Sequence, residues 1–211
     1  PYGIEFDGQR YQTAEHDPIP GDADTDLFAS VADELHRVLA EDSHAYLFTR
    51  WDVLPKVLEA YTPPFTADTV IVWDKDDGGH GMGDLDDWAP RHELVVKLSK
   101  GRRELEVGDR PPNVIRQQDV RFTDGENQHP TQKPVALIKQ LIKASSVPGE
   151  LVFDPFGGVH TTPMACVSCE RRCLSVEVDT DHHAAGRERV DRRVETARDD
   201  RTLVYDVEVI Q

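Results

Sequence analysis

Apolar residues recur at helical spacing in two segments of the chain. Leu27, Val31 and Leu35 mark the first segment, where a period near 3.6 residues predicts a helix over residues 25–40. An apolar face at Leu137, Ile138, Leu141 and Ile142 predicts a second helix over residues 135–144. We expect further helices over residues 52–61, from 163 onward and over 182–197.

Short apolar runs between these helices predict strands. They lie at residues 45–49, 69–73, 92–98, 151–153, 173–177 and 203–210. The segments 3–24, 74–90 and 99–128 are polar or lack periodicity, which is typical of loops. Because strands alternate with helices, we expect an α/β fold, a doubly wound sheet with helices on both faces.

The length of 211 residues favours one domain with a sizeable core. No apolar run approaches the ~20 residues needed to cross a membrane. No secretory signal is evident either. These features predict a cytoplasmic protein with no membrane partner.

The chain is strongly acidic, with a formal net charge of −16 from 40 acidic and 24 basic residues, of which only 7 are lysine. At ~1 M salt the Debye length is ~3 Å, so repulsion among these acidic groups is screened. We therefore interpret the chain as one from a salt-loaded cytoplasm, similar to proteins of halophilic archaea and their viruses. The alternative is an ordinary acidic enzyme with a local basic patch.

Three cysteines fall within one short stretch, at Cys166, Cys169 and Cys173. Their spacing is compatible with a metal or iron–sulfur site, but no fourth ligand lies nearby. Cys169 and Cys173 are also at helical spacing on one side. We expect buried thiols in the helix and strand after residue 160, and no metal.

The strongest local signal is a Gly-rich turn between the strand at 151–153 and the following helix. It reads Asp154-Pro155-Phe156-Gly157-Gly158, and Thr161 and Thr162 follow it. Glycine has no Cβ, so the backbone of such a turn can come close to a nucleotide-like ligand. We expect Thr162 to cap the next helix, with Pro163 as its first residue and free N–H groups at its start.

Two further segments carry residues suited to the same kind of ligand. Glu177 ends a strand about 20 residues after the turn, where an acidic residue can accept both hydroxyls of a ribose, and Asp179 lies beside it. A solvated pair of acids is the alternative. The other segment reads His129-Pro130-Thr131-Gln132-Lys133-Pro134. Thr131 can cap the helix after it, and Lys133 offers a cation for a carboxylate.

Together these segments resemble the cofactor site of S-adenosylmethionine (SAM)-dependent DNA amino-methyltransferases. The hexapeptide at 129–134 matches that family at all six positions, and Pro1-Tyr2-Gly3 resembles the end of its Asp-Pro-Pro-Tyr catalytic motif. The catalytic motif comes first and the cofactor motif last, which is the order of the permuted beta class. The resemblance implies a seven-stranded, mostly parallel, circularly permuted sheet with one antiparallel strand.

The resemblance also implies a catalytic role for Pro1 and Tyr2, in which the Tyr ring stacks on a flipped-out base. The family's Asp and first Pro would fall just before Pro1, so we expect the natural N-terminus to lie further upstream. An Asp-led motif favours adenine over cytosine as the target. The alternatives are methylation of RNA or of a protein glutamine, and a degenerate DNA- or SAM-binding module.

One departure from the family pattern lies inside the turn. Val159 and His160 stand where the family has Ser and Gly. A His there adds bulk beside the cofactor and restricts φ, so either the turn is rebuilt or SAM binding is weakened.

Basic residues concentrate between positions 97 and 121, in the part of the chain that corresponds to the family's target-recognition region. They are Lys97, Lys100, Arg102, Arg103, Arg110, Arg116 and Arg121, and we expect them to face duplex DNA. The arginines of the helix at 182–197 alternate with acids and are interpreted as solvated. We expect residues 1–98 to form the catalytic half, 99–128 the target-recognition region and 129–211 the SAM-binding half. The sequence leaves open whether the protein forms a homodimer or has a restriction endonuclease partner.

Overall fold

A computed structural model describes residues 25–76, 88, 91–120, 132–199 and 207–211. The chain divides into two compact units. The first unit comprises residues 1–103 and 112–116, and the second comprises 104–111 and 117–211. Of the segment 99–128, residues 99–103 and 112–116 lie in the first unit and residues 104–111 and 117–120 in the second, while 121–128 lie outside the described residues.

The first unit is built on a four-stranded sheet with the order β1-β3-β2-β4. Its elements are α1 (Thr25–Val38), β1 (Ser43–Thr49), α2 (Leu54–Tyr61), β2 (Thr66–Asp74), β3 (His92–Lys100) and β4 (Val114–Arg116). Strand β3 pairs antiparallel with both β1 and β2, whereas β4 pairs parallel with β2. Among the described residues of this sheet, β3 alone runs against the other strands.

The second unit is built on a three-stranded sheet with the order β5-β6-β7. Its elements are α3 (Val135–Ser145), β5 (Leu151–Asp154), α4 (Thr161–Ser168), β6 (Arg172–Val176), α5 (Thr180–Asp199) and β7 (Val207–Ile210). Both strand pairings are parallel. The α/β fold expected from the alternation of elements is thus confirmed, with mostly parallel strands.

The core of the first unit lies between its two helices and one face of β3. Phe28 and Ala32 of α1 pack with Tyr61 at the end of α2, and with Val96 and Leu98 of β3. Successive side chains of a strand point to opposite faces, so Val96 and Leu98 share one face. Both are fully buried, as is Val95 on the other face. Strand β3 is therefore the buried centre of this sheet.

The core of the second unit includes the apolar face of α3 and almost all of α4. The face predicted for α3 is buried, at Leu137, Ile138, Leu141 and Ile142. All three cysteines are free and buried. The expectation of buried thiols in the helix and the strand after the turn is confirmed, since Cys166 lies in α4, Cys169 at its C-terminal end and Cys173 in β6. Cys169 and Cys173 therefore do not share a helix, although their spacing would allow it.

Two findings concern what the described residues lack. None of their helices is long and apolar enough to cross a membrane. In the same part of the chain, no group of three His, Cys, Asp or Glu residues is arranged to hold a metal ion.

Lys100 binds the C-terminal end of α1. Its Nζ donates to the carbonyl oxygens of His36 and Leu39, each at 2.9 Å, and lies 2.9 Å from a Glu41 carboxylate oxygen. The last carbonyls of a helix have no partner within the helix, and a cation there also interacts favourably with the helix dipole. Lys100 therefore fastens α1 to the end of β3.

We expect Lys100→Met to lower the free energy of unfolding by about 1–2 kcal/mol, because two carbonyls lose a charged donor. Urea unfolding measures this change. Arg37→Gln is the control: Arg37 and Glu34 form an ion pair 2.7 Å long whose side chains are 68% and 67% exposed. Because the pair is exposed and Arg37 lies in the last turn of α1, its loss should lower the unfolding midpoint far less than the loss of Lys100 does. Equal destabilisation by both changes would contradict a capping role for Lys100.

Candidate functional site

The turn after β5 is held at both ends by Asp154. One carboxylate oxygen accepts a hydrogen bond from the Phe156 amide (3.1 Å), and the other accepts one from the Thr162 hydroxyl (2.6 Å). Burial and the nearby Glu177 charge raise the pKa of the Asp154 carboxyl, while these two hydrogen bonds act in the opposite direction. Asp154 thus ties the end of β5 to the first turn of α4.

The two glycines bring the turn against the end of β6. The Gly157 amide donates to the Val176 carbonyl (2.8 Å), and the Gly158 amide donates to Glu177 Oε2 (2.6 Å). Gly158 has a φ of +52°, and a Cβ added there would meet no atom within 4 Å. Phe156 beside it is 49% exposed. The turn therefore borders open space at the Cβ position of Gly158.

Glu177 is fixed by backbone on both oxygens of its carboxylate. Besides the Gly158 bond, its Oε1 accepts a hydrogen bond from the Asp179 amide (2.9 Å). An ionised carboxylate has about four acceptor positions, so each oxygen can accept one more hydrogen bond. Glu177 can accept two hydroxyls while it keeps both backbone contacts.

Asp179 caps helix α5. Its Oδ1 accepts hydrogen bonds from the amides of Asp181 (3.0 Å) and His182 (2.8 Å), which belong to the first turn of the helix. This is the usual role of an Asp just before a helix. The structure therefore gives Asp179 a capping geometry, whereas Glu177 faces the turn.

Helix α4 begins differently from the prediction. Its N-cap is His160, in the left-handed conformation (φ 54°, ψ 48°), and Thr161 is its first residue. The expected cap at Thr162 is wrong, because the Thr162 hydroxyl bonds Asp154 instead. Thr161 is buried beside it. Pro163 is consequently the third residue of the helix.

His160 lies inside the second unit, with none of its surface exposed. Its Nδ1 is 2.8 Å from the Ser175 hydroxyl of β6, and its Nε2 is 3.1 Å from Nδ1 of His183 on α5. Burial and the neighbouring His183, Arg187 and Arg189 lower the pKa of His160 to about 4, against the opposing effect of Glu177. The imidazole is therefore neutral at pH 7, and it occupies the interior between β6 and α5.

Helix α5 contacts the turn through residues that the sequence analysis missed. Arg189, expected to be solvated, is buried and donates from Nη1 to the Val159 carbonyl (2.7 Å). Gly186 is in close contact with Val159 and His160, since a Cβ there would lie 2.6 Å from the Val159 carbonyl carbon. A glycine in the middle of a helix costs about 1 kcal/mol relative to alanine. The glycine inside the predicted helix was therefore the sequence feature that could have indicated this close contact.

The segment at 129–134 is described only in part. His129, Pro130 and Thr131 lie outside the described residues, as do Pro1 and Tyr2. Gln132 is buried and Lys133 is half-buried. Helix α3 begins at Val135 with Pro134 at its N-cap, so the expected cap at Thr131 is wrong. A residue before proline is disfavoured in the helical region, which moves the helix start past Pro134.

Two of the predicted DNA-contacting cations are used inside the first unit. Lys97 is buried, and its Nζ lies 2.5 Å from Oδ2 of Asp68. The other carboxylate oxygen of Asp68 accepts a hydrogen bond from the Ser99 hydroxyl (3.1 Å). Lys100 binds the end of α1, as described above, and its side chain is only 11% exposed. Neither ammonium group faces outward.

The predicted arginines are spread along the fold. Arg102, Arg110 and Arg116 are exposed, Arg103 is half-buried, and Arg121 lies outside the described residues. Arg116 pairs with Asp74 (3.1 Å), which lies opposite His92 in the sheet. On β3, Lys100 lies eight residues beyond His92, which at the rise of a strand corresponds to roughly 26 Å. The basic cluster of the sequence is therefore not one patch of the described structure.

A model of a DNA methylase family matches residues 1–188 of the chain. The DNA adenine methyltransferase YhdJ of Escherichia coli K12 is 27% identical over 194 residues, covering 78% of this chain and 66% of that protein. The type II methyltransferase M.HpaI of Haemophilus parainfluenzae is 27% identical over 131 residues, covering 53% of this chain and 42% of that protein. The chain thus spans about two thirds of the first relative and less of the second.

Solved structures share the fold. The complex of M1.HpyAVI with SAM superposes with a TM-score of 0.71 at 19% identity, covering 82% of this chain and 85% of that one. The cytosine-N4-specific PvuII DNA methyltransferase superposes with a TM-score of 0.63 at 15% identity, covering 95% and 83%. The mixed α/β architecture expected from the sequence is therefore that of solved DNA methyltransferases.

The buried His160 predicts a loss of stability in mild acid. The unfolded chain takes up a proton on this side chain near its ordinary pKa of 6.5, whereas the folded chain does so only near 4. The contribution of neutral His160 is complete above pH 6.5 and is lost as the pH falls toward 4. By pH 5 the loss is about 2 kcal/mol.

Urea unfolding at pH 7 and pH 5 tests this expectation. His160→Asn is the comparison, since Asn tolerates the left-handed conformation and does not titrate here. The variant should lose less stability than the natural chain between the two pH values. The same pH dependence in both proteins would contradict the assignment.

Proposed function

The chain belongs to the DNA methylase family, and on that premise we propose that it transfers a methyl group from SAM to the exocyclic N6 amine of adenine in duplex DNA. SAM supplies the electrophilic methyl group when bound. The amine of the target base is otherwise paired inside the duplex, so the base must be extruded before its nitrogen can attack. Tyr2 is proposed to stack on the extruded base, next to the backbone of Pro1.

The observation that carries the SAM site is the hydrogen bond from the Gly158 amide to Glu177. It holds a carboxylate with two available acceptor positions against the turn, where the Cβ position of Gly158 borders open space. This arrangement fits a nucleoside whose ribose hydroxyls reach Glu177. The amino-acid end of SAM is proposed to reach the start of α4 and, through its carboxylate, Lys133.

Adenine is proposed as the target from the resemblance of Pro1-Tyr2 to an Asp-led motif. The relative YhdJ is named as an adenine methyltransferase and supports this choice. The structural neighbour PvuII methyltransferase is named as cytosine-N4-specific, so cytosine is the alternative that the assay below must separate.

In the first unit, DNA is proposed to meet the exposed Arg102 and Arg116 together with Arg103. In the second unit it is proposed to meet the exposed Arg110, while Arg121, also expected to contact DNA, lies outside the described residues. Lys97 and Lys100 are left out of this surface because their ammonium groups bind inside the first unit. We propose that the acidic charge adapts the protein to a salt-rich cell, where repulsion from DNA is screened. The type II methyltransferase relative supports a role beside a restriction endonuclease.

Glu177→Gln should weaken SAM binding by about ten-fold or more, because a Gln amide nitrogen cannot accept both the backbone donors and the ribose hydroxyls. Calorimetric titration with SAM, at low salt and at about 1 M salt, measures this change. Asp181→Asn is the control, as Asp181 contributes its amide to the cap of α5 and this change leaves the amide in place. Equal affinity of Glu177→Gln and the natural chain would exclude Glu177 as the ribose ligand.

The reaction is tested with isotope-labelled SAM and duplex DNA, using the chain as it stands and the chain preceded by Asp-Pro. We expect label in N6-methyladenine after digestion to nucleosides, with turnover only when Asp-Pro precedes Pro1. Label in N4-methylcytosine alone would change the target base. Label in RNA or protein but not in DNA would replace the proposed function, and SAM binding without any transfer would favour a degenerate module.

A further inference from the structure

Two residues around the Gly-rich turn are locally unfavourable but fit each other. His160 is a bulky residue held in the left-handed region, which costs about 1–2 kcal/mol for residues other than glycine. Gly186 lies in the middle of a 20-residue helix, where glycine is also unfavourable. A Cβ on Gly186 would lie 2.8 Å from His160 Cδ2 and 2.9 Å from Val159 Cα. The small residue on α5 makes the space that the large residue in the turn occupies.

One face of α5 is shaped to this part of the turn. His183, Gly186 and Arg189 follow one another at a spacing of three, so they lie along the same side of the helix. They supply a hydrogen-bond partner for His160, space for it, and a donor for the carbonyl before it. Residues that are unfavourable for their local backbone conformation often mark functional sites.

The His160 ring is in contact with the turn at which SAM is proposed to bind. A Cβ on Gly157 would lie 2.6 Å from His160 Nδ1 and would also collide with the Ser175 hydroxyl. Gly157 therefore rests directly on the hydrogen bond between His160 and Ser175. The next amide along the chain, that of Gly158, is the one that holds Glu177. A displacement of the ring thus changes the position of the Gly157–Gly158 backbone and of the Glu177 carboxylate.

We propose that His160 is a positioning residue for the SAM site. Its ring, hydrogen-bonded between Ser175 and His183, holds the backbone of Gly157 and Gly158 in place. The proposal rests on the proposed function, in that SAM is taken to bind at this turn. In this proposal His160, which has no exposed surface, acts through the turn and not by contact with SAM. Its role is to set the backbone geometry that glycine sets in the family pattern.

The test compares three variants with the natural chain in calorimetric titration with SAM at pH 7.5, in low salt and in about 1 M salt. His160→Gly removes both ring hydrogen bonds and should weaken SAM binding by about ten-fold. His160→Asn keeps a polar atom close to the position of Nδ1, and thus the contact with Ser175, so it should restore part of the affinity. Arg193→Gln is the matched control, because Arg193 also joins α5 to α4, through a 3.1 Å hydrogen bond to Ser168. It should bind SAM as the natural chain does.

A second measurement separates positioning from general loss of stability. Amide hydrogen exchange should become faster at Gly157 and Gly158 in His160→Gly, while the amides of β6 keep their protection. Uniformly faster exchange, or SAM affinity equal to that of the natural chain, would overturn the proposal. Failure of the natural chain itself to bind SAM would instead refute the proposed function, since that result does not depend on His160.

Discussion

The parallel pairing of β5 with β6 is the constraint on which the site depends. Asp154 lies opposite Ser175 in this pairing, so the two strands end at the same edge of the sheet. The turn that leaves β5 and the carboxylate that follows β6 must therefore meet there. Ligands of open α/β sheets bind beyond the carboxyl ends of the strands, and the second unit has its Gly-rich turn and its acid at that position. A shift of one residue in the pairing would place Glu177 out of reach of the Gly158 amide.

The sequence was sufficient for the features that depend on pattern. The apolar face of α3 and the succession of strand, turn and helix from Leu151 could be predicted, because periodicity and glycine chemistry are local properties. The start of α4 could not be predicted. It depends on His160 adopting a left-handed conformation, which is stabilised by Ser175 and His183, 15 and 23 residues away. Contacts at that separation leave no trace in local pattern.

The charged residues were the other class that the sequence could not place. Arg189 alternates with acids in the sequence, yet it is buried against the Val159 carbonyl. Lys97 and Arg116 are 19 positions apart and belong to one basic stretch, but sheet register brings Lys97 opposite Thr69 and Arg116 opposite Asp74. Residues that are close in sequence can be placed on one surface from pattern alone only when they belong to one element. The basic stretch from Lys97 to Arg116 runs from β3 into β4, so its side chains could not be placed in this way.

Several cationic side chains are bound inside the fold, and this affects the electrostatic interaction between the acidic protein and DNA. Lys97, Lys100 and Arg189 bind carboxylates or carbonyls inside the fold, so these three cations do not offset the acidic charge at the outer surface. For most DNA-binding proteins, added salt only weakens binding, because it opposes the release of counterions from phosphates. Here salt also screens the repulsion between an acidic surface and the duplex. These two dependences have opposite signs, so we expect the affinity for DNA to pass through a maximum in ionic strength instead of falling steadily.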